Sequence, residues 1–455
     1  MDESADVVVI GMGIGGEAVA GRLAETGLTV VGIDARLVGG ECPYWGCVPS
    51  KMMIRAGNAL AEARRVSALA GRATVEPDYA PVAERIRAEA TDNWDDRVAV
   101  ERFEAKGGRF VRGRATLDGP GRVRVTDTVF VASRGVVIAG GTAPTIPPIP
   151  GLDGLDYWTN REALEAKELP ASLVVLGGGA IGLELAQGFA RFGVGVTVVE
   201  AENRLLPVEE PEAGAVVADV LRQEGIGVLT GLRARFAEPD GAHMVVGLED
   251  GELLRTERVL IATGRRADQH ALGTATLGLD EGAPAIAVDD RMRVEGAERL
   301  WAVGDVTGKG EFTHVAAYQA DIAAADILGE HPARADYRAV PRVTFTDPEV
   351  GSVGLSETAA TAAGMRVRVG QAQTPSSARG WIHKVGNEGT IKLVEDADRG
   401  VLVGATAVGP HGGEVLGLLT LAVHAAVPTD ELRRMIYAYP TFHRAVEDAL
   451  RDLDG

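Results

Sequence analysis

Cysteine is nearly absent from this sequence. Of 455 residues only two are cysteine, Cys42 and Cys47. So few cannot supply the scattered disulfide framework of a small secreted protein, nor the four thiolates of an all-cysteine zinc site. Aromatic residues are also scarce, 5% of the chain, beside 46% hydrophobic residues and 59 glycines. That balance fits an α/β protein with many tight turns. Basic residues are in deficit, with a formal net charge of −19. Nucleic acid and anionic membrane both attract basic surfaces, so neither is expected as a partner. No apolar run approaches the roughly 20 residues that span a bilayer. The opening Met1-Asp2-Glu3-Ser4-Ala5-Asp6 is acidic and leads into a strand, unlike a signal peptide. A cytoplasmic chain of about three domains is expected, in a compartment where a disulfide is generally catalytic or regulatory.

Both cysteines fall in one window, Glu41-Cys42-Pro43-Tyr44-Trp45-Gly46-Cys47-Val48. They are either a reversible redox pair or two inert buried thiols. In a straight helix, residues five apart are separated by about 7.5 Å along the axis, too far for a disulfide. The pair closes only if the first turn is distorted, and Pro43 and Gly46 supply the means. A disulfide closed under strain is easier to reduce.

Upstream lies a Gly-rich turn. Val7-Val8-Val9-Ile10 reads as a buried strand, followed by Gly11-Met12-Gly13-Ile14-Gly15-Gly16, a helical stretch, and a second apolar run ending in Asp34. This order of strand, Gly-x-Gly-x-x-Gly, helix, strand and acid is a dinucleotide-binding fingerprint. Gly11, Gly13 and Gly16 permit the tight turn and the approach of pyrophosphate to the helix N-terminus, while Asp34 can take ribose hydroxyls. The pattern returns in Leu173-Val174-Val175-Leu176 and Gly177-Gly178-Gly179-Ala180-Ile181-Gly182, with Glu200 at the end of the next strand. Gly177, Gly179 and Gly182 repeat the three glycine roles. Two sites imply two dinucleotides, most simply a flavin and a nicotinamide. Glu200 suits a free 2′-hydroxyl and repels a 2′-phosphate, which favours NADH over NADPH. Arg204, four residues on, could restore some NADPH binding.

With both fingerprints flanking Gly39-Gly40-Glu41-Cys42-Pro43-Tyr44-Trp45-Gly46-Cys47-Val48-Pro49-Ser50-Lys51, the chain resembles the FAD-dependent pyridine nucleotide-disulfide oxidoreductases: dihydrolipoamide dehydrogenase, glutathione reductase and mercuric reductase. Ile138-Ala139-Gly140-Gly141 resembles a loop closing the first FAD segment, with Gly140 where threonine is usual. Ile261-Ala262-Thr263-Gly264-Arg265 resembles its counterpart in the nicotinamide domain. Leu300-Trp301-Ala302-Val303-Gly304-Asp305 resembles the segment whose aspartate binds the flavin ribityl chain, and Pro341 to Val350 resembles the opening of the C-terminal interface domain.

The resemblance implies an α/β fold of two Rossmann-like dinucleotide-binding domains and a C-terminal α+β dimerisation domain. The expected segments are 1–150 for FAD and the redox pair, 151–268 for NAD(P)H, 269–338 for the rest of the FAD domain, and 339–455 for the interface. It also implies a homodimer with a shared active site, and no metal. Electrons would pass from NAD(P)H through FAD to a Cys42–Cys47 disulfide. Cys47 corresponds to the thiolate against the flavin and Cys42 to the thiol that exchanges with substrate. Lys51 matches the family lysine near the flavin, and Glu184 matches its carboxylate partner. A cation there favours the reduced flavin, and a buried lysine needs a counter-charge.

The C-terminal segment Tyr437-Ala438-Tyr439-Pro440-Thr441-Phe442-His443-Arg444-Ala445-Val446-Glu447 departs from the family. Tyr439 stands where dihydrolipoamide dehydrogenase and glutathione reductase carry histidine, and Arg444 where they carry glutamate. An ordinary tyrosine, titrating near 10, does not cycle as imidazole does. Two readings stand: a displaced dyad, with Pro440 as first helical residue, Tyr439 at the cap as donor or substrate clamp and His443 facing Glu447 at i+4, or a His443 that is only a helix-surface or subunit-interface histidine. Mercuric reductases also carry tyrosine there, yet they need a further C-terminal cysteine pair that this chain lacks. Pro43-Tyr44-Trp45 either lines a site for a flat substrate or packs the flavin domain. For Trp381, core or interface packing is the expectation.

The leading expectation is a dihydrolipoamide dehydrogenase-like NAD(P)H:disulfide oxidoreductase acting on a small or protein disulfide. A diaphorase-type quinone reductase is the alternative, and a non-catalytic FAD-binding complex subunit is the third.

Overall fold

The computed structural model describes residues 2–331 and 333–453. The chain divides into two compact units. The first gathers Met1–Pro49, Arg85–Thr145 and Arg265–Asp336. The second gathers Ser50–Glu84, Ile146–Gly264 and Tyr337–Gly455.

In the first unit the strand Asp2–Ile10 lies at the centre of a seven-stranded sheet. It runs parallel to Val30–Asp34 on one side and to Thr128–Ile138 on the other. Val7, Val8 and Val9 are fully buried. A continuous β-branched run suits a strand covered on both faces, as parallel sheets require. Arg109–Arg112 extends the parallel part beyond Val30–Asp34, and Leu300–Ala302 pairs in parallel with the far end of Thr128–Ile138. The helix Ile14–Glu25 joins the first two strands, and Thr313–Ile327 packs against it.

The second unit repeats the theme. Ser172–Leu176 pairs in parallel with Gly195–Glu200 and Arg258–Ile261, and Gly227–Thr230 closes the four-stranded sheet. The helix Ala180–Arg191 makes the crossover. A separate antiparallel sheet of five strands orders as Pro341–Thr344, Glu349–Gly354, Val401–Gly409, Thr390–Asp396 and Val367–Gln373. The helices Gly412–His424 and Ala445–Asp452 cover it, burying Leu416, Leu419, Val446 and Leu450 against Leu393 and Leu402. The expected fold class is present in full: two Rossmann-like sheets and a C-terminal α+β domain. Among the described residues no helix is long and apolar enough to cross a membrane, and no group of three or more His, Cys, Asp or Glu could hold a metal ion.

Candidate active site

The two Gly-rich turns separate glycines that the chain itself requires from glycines it does not. A Cβ on Gly11, whose φ is +92°, would lie 2.3 Å from the Ala139 carbonyl oxygen, and one on Gly16 would lie 1.9 Å from that of Gly11. In the second turn a Cβ on Gly177 would lie 2.2 Å from the Ala262 oxygen, and one on Gly182 would lie 2.2 Å from that of Gly177. The middle glycines differ. A Cβ on Gly13 would meet nothing closer than Gly40 Cα at 3.8 Å, and one on Gly179 would meet nothing within 4 Å. Each middle glycine precedes a 12-residue helix whose first turn has no side-chain cap. Open space before uncapped N–H groups is the cradle a pyrophosphate fills, so both turns fit a dinucleotide.

The two acids act alike. Asp34 accepts the backbone N–H groups of Met12 and Arg36, each at 2.7 Å. Glu200 accepts those of Gly178 at 2.6 Å and Glu202 at 2.7 Å. Each carboxylate therefore braces the Gly turn it faces, and burial pushes Asp34 above the usual carboxylate range. Arg204 donates to the carbonyls of Leu206 at 2.9 Å and Pro207 at 2.6 Å.

The loops that follow the sheets are also open. Gly141 and Gly264 adopt φ of +64° and +106°, and a Cβ added at either would meet nothing within 4 Å. Gly304 donates its N–H to Gln319 Oε1 at 2.7 Å. Next to it, Asp305 accepts the Thr142 hydroxyl at 3.0 Å. Arg265 donates to that hydroxyl at 3.0 Å and to the Thr142 carbonyl at 2.9 Å. Burial raises the Asp305 carboxyl in spite of these partners. Thr142 and Arg265 complete this cluster although no sequence motif singles them out as a pair.

The helix carrying the cysteines is interrupted where the spacing argument requires it. Glu41–Trp45 forms one short helix, Gly46 leaves helical geometry at φ −132° and ψ −116°, and Cys47–Leu69 forms a second helix. The structure holds the pair as two thiols, Cys42 half-buried and Cys47 exposed. Cys42 is pushed well above the ordinary thiol range, first by its hydrogen bond to Cys47 and then by burial. Cys47 Sγ lies 3.4 Å from Thr313 Oγ1, at the first residue of the 15-residue helix Thr313–Ile327. A helix N-terminus favours an anion there. Tyr44 is buried while Trp45 is half-buried with its ring 5.8 Å from that of Tyr44. Tyr44 thus packs the unit rather than lining a site.

Lys51 and Glu184 meet. Lys51 Nζ is 2.8 Å from Glu184 Oε2, and the Glu184 side chain is 6% exposed. Its other oxygen accepts the Phe345 N–H at 2.8 Å. The carboxylate does not face solvent.

His443 and Glu447 do not meet, and this corrects the displaced dyad. Helix begins at Ala445 rather than Pro440, with Phe442–Arg444 in a 3-10 turn before it and a cis peptide between Tyr439 and Pro440. His443 therefore precedes the helix instead of lying one turn inside it, and its Nε2 contacts Thr441 Oγ1 at 3.4 Å. Glu447 is paired with Arg444 at 3.0 Å and with Arg451. Two guanidiniums at i−3 and i+4 hold the carboxylate that the displaced dyad assigns to the imidazole. Tyr439 is 69% exposed, with the Arg444 guanidinium 5.5 Å from its ring centre. Trp381 is 74% exposed, so it packs no core of this chain.

Comparison with known proteins agrees with this geometry. Residues 5–320 match the family described as pyridine nucleotide-disulphide oxidoreductase, and residues 340–450 match its dimerisation domain. A mercuric reductase from Streptomyces lividans is 34% identical, over 97% of this chain and 94% of that protein. A dihydrolipoyl dehydrogenase from Halobacterium salinarum is 33% identical, over 98% and 95%. Among solved structures, the Cu(II) complex of a cysteine-to-serine mutant of the HOCl-induced flavoprotein disulfide reductase RclA from Escherichia coli superposes with a TM-score of 0.86. It shares 25% identity, and 99% of each chain is covered.

Proposed function

The chain belongs to the pyridine nucleotide-disulphide oxidoreductase family, and from that premise we propose that Cys42 and Cys47 are its working disulfide, delivering electrons from NADH to a disulfide substrate. It is a flavoprotein oxidoreductase that uses FAD and a pyridine nucleotide. When bound, FAD would supply the two-electron chemistry that links the nicotinamide to a disulfide. The observation that carries the reading is the placement of the cysteine pair: Cys42 and Cys47 flank the break at Gly46, and Cys47 Sγ lies 3.4 Å from Thr313 Oγ1 at a helix N-terminus.

The chemistry of the chain's own residues follows. Two electrons open the Cys42–Cys47 bond, leaving a thiolate on Cys47 and a thiol on Cys42. After losing its proton, Cys42 Sγ attacks one sulfur of the substrate disulfide. A mixed disulfide forms and the first substrate thiol leaves with a proton. The Cys47 thiolate then attacks Cys42 Sγ, restoring the internal disulfide and releasing the second substrate sulfur as a thiolate that takes a proton from solvent. Gly11, Gly13, Gly16, Asp34, Gly141, Gly304 and Asp305 hold FAD in this reading. Gly177, Gly179, Gly182, Glu200 and Gly264 hold the nicotinamide cofactor. Lys51, paired with Glu184 at 2.8 Å, serves the flavin ring in this reading.

NADH is the preferred donor. Glu200, at the end of its strand beside the Gly turn, would meet the ribose, and Arg204, the cation that would take a 2′-phosphate, is engaged by two backbone carbonyls. A disulfide acceptor is the reading supported by the family description. The protein works as a cytoplasmic homodimer, supported by the dimerisation domain at 340–450. Quinone reduction is the second reading, favoured by the commitment of Glu447 to Arg444 and Arg451, which leaves no His443–Glu447 dyad.

The test is Cys42→Ser assayed with NADH against a disulfide such as lipoamide or an aromatic disulfide, and against a quinone. Disulfide turnover falls by at least about a thousandfold, since the attacking thiol is gone, while quinone turnover persists. Equal disulfide turnover in wild type and variant would refute the relay.

A further inference from the structure

Three buried polar residues project from one face of the helix Ala180–Arg191: Glu184, Gln187 and Arg191, each 5% exposed or less. Their spacing of three and four places them on one stripe. All three bind the same short segment, Phe345 to Asp347. Glu184 Oε1 accepts the Phe345 N–H at 2.8 Å. Gln187 clamps the Asp347 backbone, accepting its N–H at 2.7 Å and donating to its carbonyl at 2.8 Å. Arg191 pairs with the Asp347 carboxylate at 2.8 Å, as does Arg65 from the cysteine helix, also at 2.8 Å. Polar contacts repeated at intervals of three and four residues fix where Phe345 stands.

Its ring is then used. Lys51 Nζ lies 4.6 Å from the Phe345 ring centroid while pairing with Glu184 Oε2 at 2.8 Å. One residue thus touches both members of the ion pair: its N–H holds the carboxylate, and the negative face of its ring holds the ammonium. Lys51 Nζ also donates to Ser50 Oγ at 3.3 Å, beside Glu184 Oε2 at 2.8 Å, and a lysine on a four-carbon stem still has rotamers to choose among. The ring adds a third contact that favours one of them.

We propose that Phe345 is a positioning residue for Lys51, setting the orientation of the ammonium and through it the reduction potential of the bound flavin. The inference rests on the reading above, in which Lys51 serves the flavin ring. It makes the Gln187–Arg191–Asp347 clamp part of the redox tuning of the protein rather than a fastening alone.

The sharpest test replaces Phe345 by 3,4,5-trifluorophenylalanine, which keeps the side-chain shape while withdrawing the negative charge from the ring face. Phe345→Leu and Phe345→Tyr accompany it, the first deleting the ring and the second retaining it. The readouts are the flavin midpoint potential in the holoprotein and, in cofactor-free protein, the rate at which an amine reagent labels Lys51. Fluorination and Phe345→Leu are expected to weaken the preference for the reduced state about threefold, as for a modest cation–π contact. That is a shift of about −14 mV for a two-electron couple. Labelling of Lys51 accelerates about threefold in both, and Phe345→Tyr stays at wild type in both readouts. In Lys51→Met protein the same ring changes shift the potential no further. A wild-type potential in the fluorinated protein, with Lys51→Met itself shifted, overturns the role of Phe345. An unshifted potential in Lys51→Met overturns the role of Lys51, and the inference falls with it.

Discussion

At the scale of single residues the site is governed by which protons are held and by what. The hydrogen bond to Cys47 and then burial push the Cys42 thiol up, while Thr313 pulls it back. Asp305 is a carboxylate pushed upward by burial, although Thr142 and Arg265 pull it back. A raised carboxyl makes the folded state bind its proton more tightly than the unfolded chain does. Stability is then fully present below the ordinary aspartate value of 3.8 and is lost as pH rises through the raised one. Asp305→Asn removes that penalty. Cofactor-free Asp305→Asn protein is expected to melt on the order of 2 °C above wild type at pH 7, with the difference shrinking as pH falls toward about 4. Retention of FAD should drop at the same time, the exchange of stability for function usual at binding sites. Melting curves of the apoproteins across that pH range decide the matter, and a lower melting point for the variant at pH 7 would contradict it.

At the scale of elements the strand–turn–helix units are the part most open to reading from sequence, because their glycines obey two separable constraints. Gly11, Gly16, Gly177 and Gly182 are imposed by neighbouring backbone, whereas Gly13 and Gly179 face open space. Gly13→Ala should therefore leave the far-ultraviolet circular dichroism unchanged. Its FAD content after gel filtration should fall, with affinity weakened about tenfold or more for a lost charge-assisted contact. Gly179→Ala should keep FAD and raise the KM for NADH by a similar factor. Loss of fold in either would show that the chain, not a ligand, demands the glycine.

Other features at this scale are less open. The break at Gly46 is readable, since the cysteine spacing forbids a continuous helix. Pairing of Lys51 with Glu184 follows from resemblance, but the part Phe345 plays depends on tertiary contacts between segments about 160 residues apart, which no local pattern encodes. The same is true of Thr142, Arg265 and Asp305. The displaced dyad fails for a local reason visible in the sequence: Arg444 and Arg451 stand at i−3 and i+4 from Glu447 and pair with it. The start of the last helix at Ala445 is hidden, because Phe442 is buried in a turn beside His383 and His411.

At the scale of the whole molecule, the C-terminal domain leaves large apolar side chains uncovered in a single copy. Ile436 is 96% exposed, and Tyr439 and Trp381 are 69% and 74% exposed. All lie in the stretch that matches the dimerisation domain. Light scattering should give twice the chain mass for wild type. Ile436→Glu, which asks an interface to bury an unpaired charge, should shift the protein toward monomer and lower disulfide turnover in parallel. A monomeric wild type with full activity would refute the shared-site dimer.

The central claim is that electrons leave the flavin through Cys47. It is tested most directly by titrating the anaerobic holoprotein with NADH while recording the visible spectrum. The first two electrons should produce a long-wavelength thiolate-to-flavin charge-transfer band that is lost in Cys47→Ser. Direct bleaching of the flavin in wild type, with no such band, would contradict the relay and leave the cysteines as bystanders.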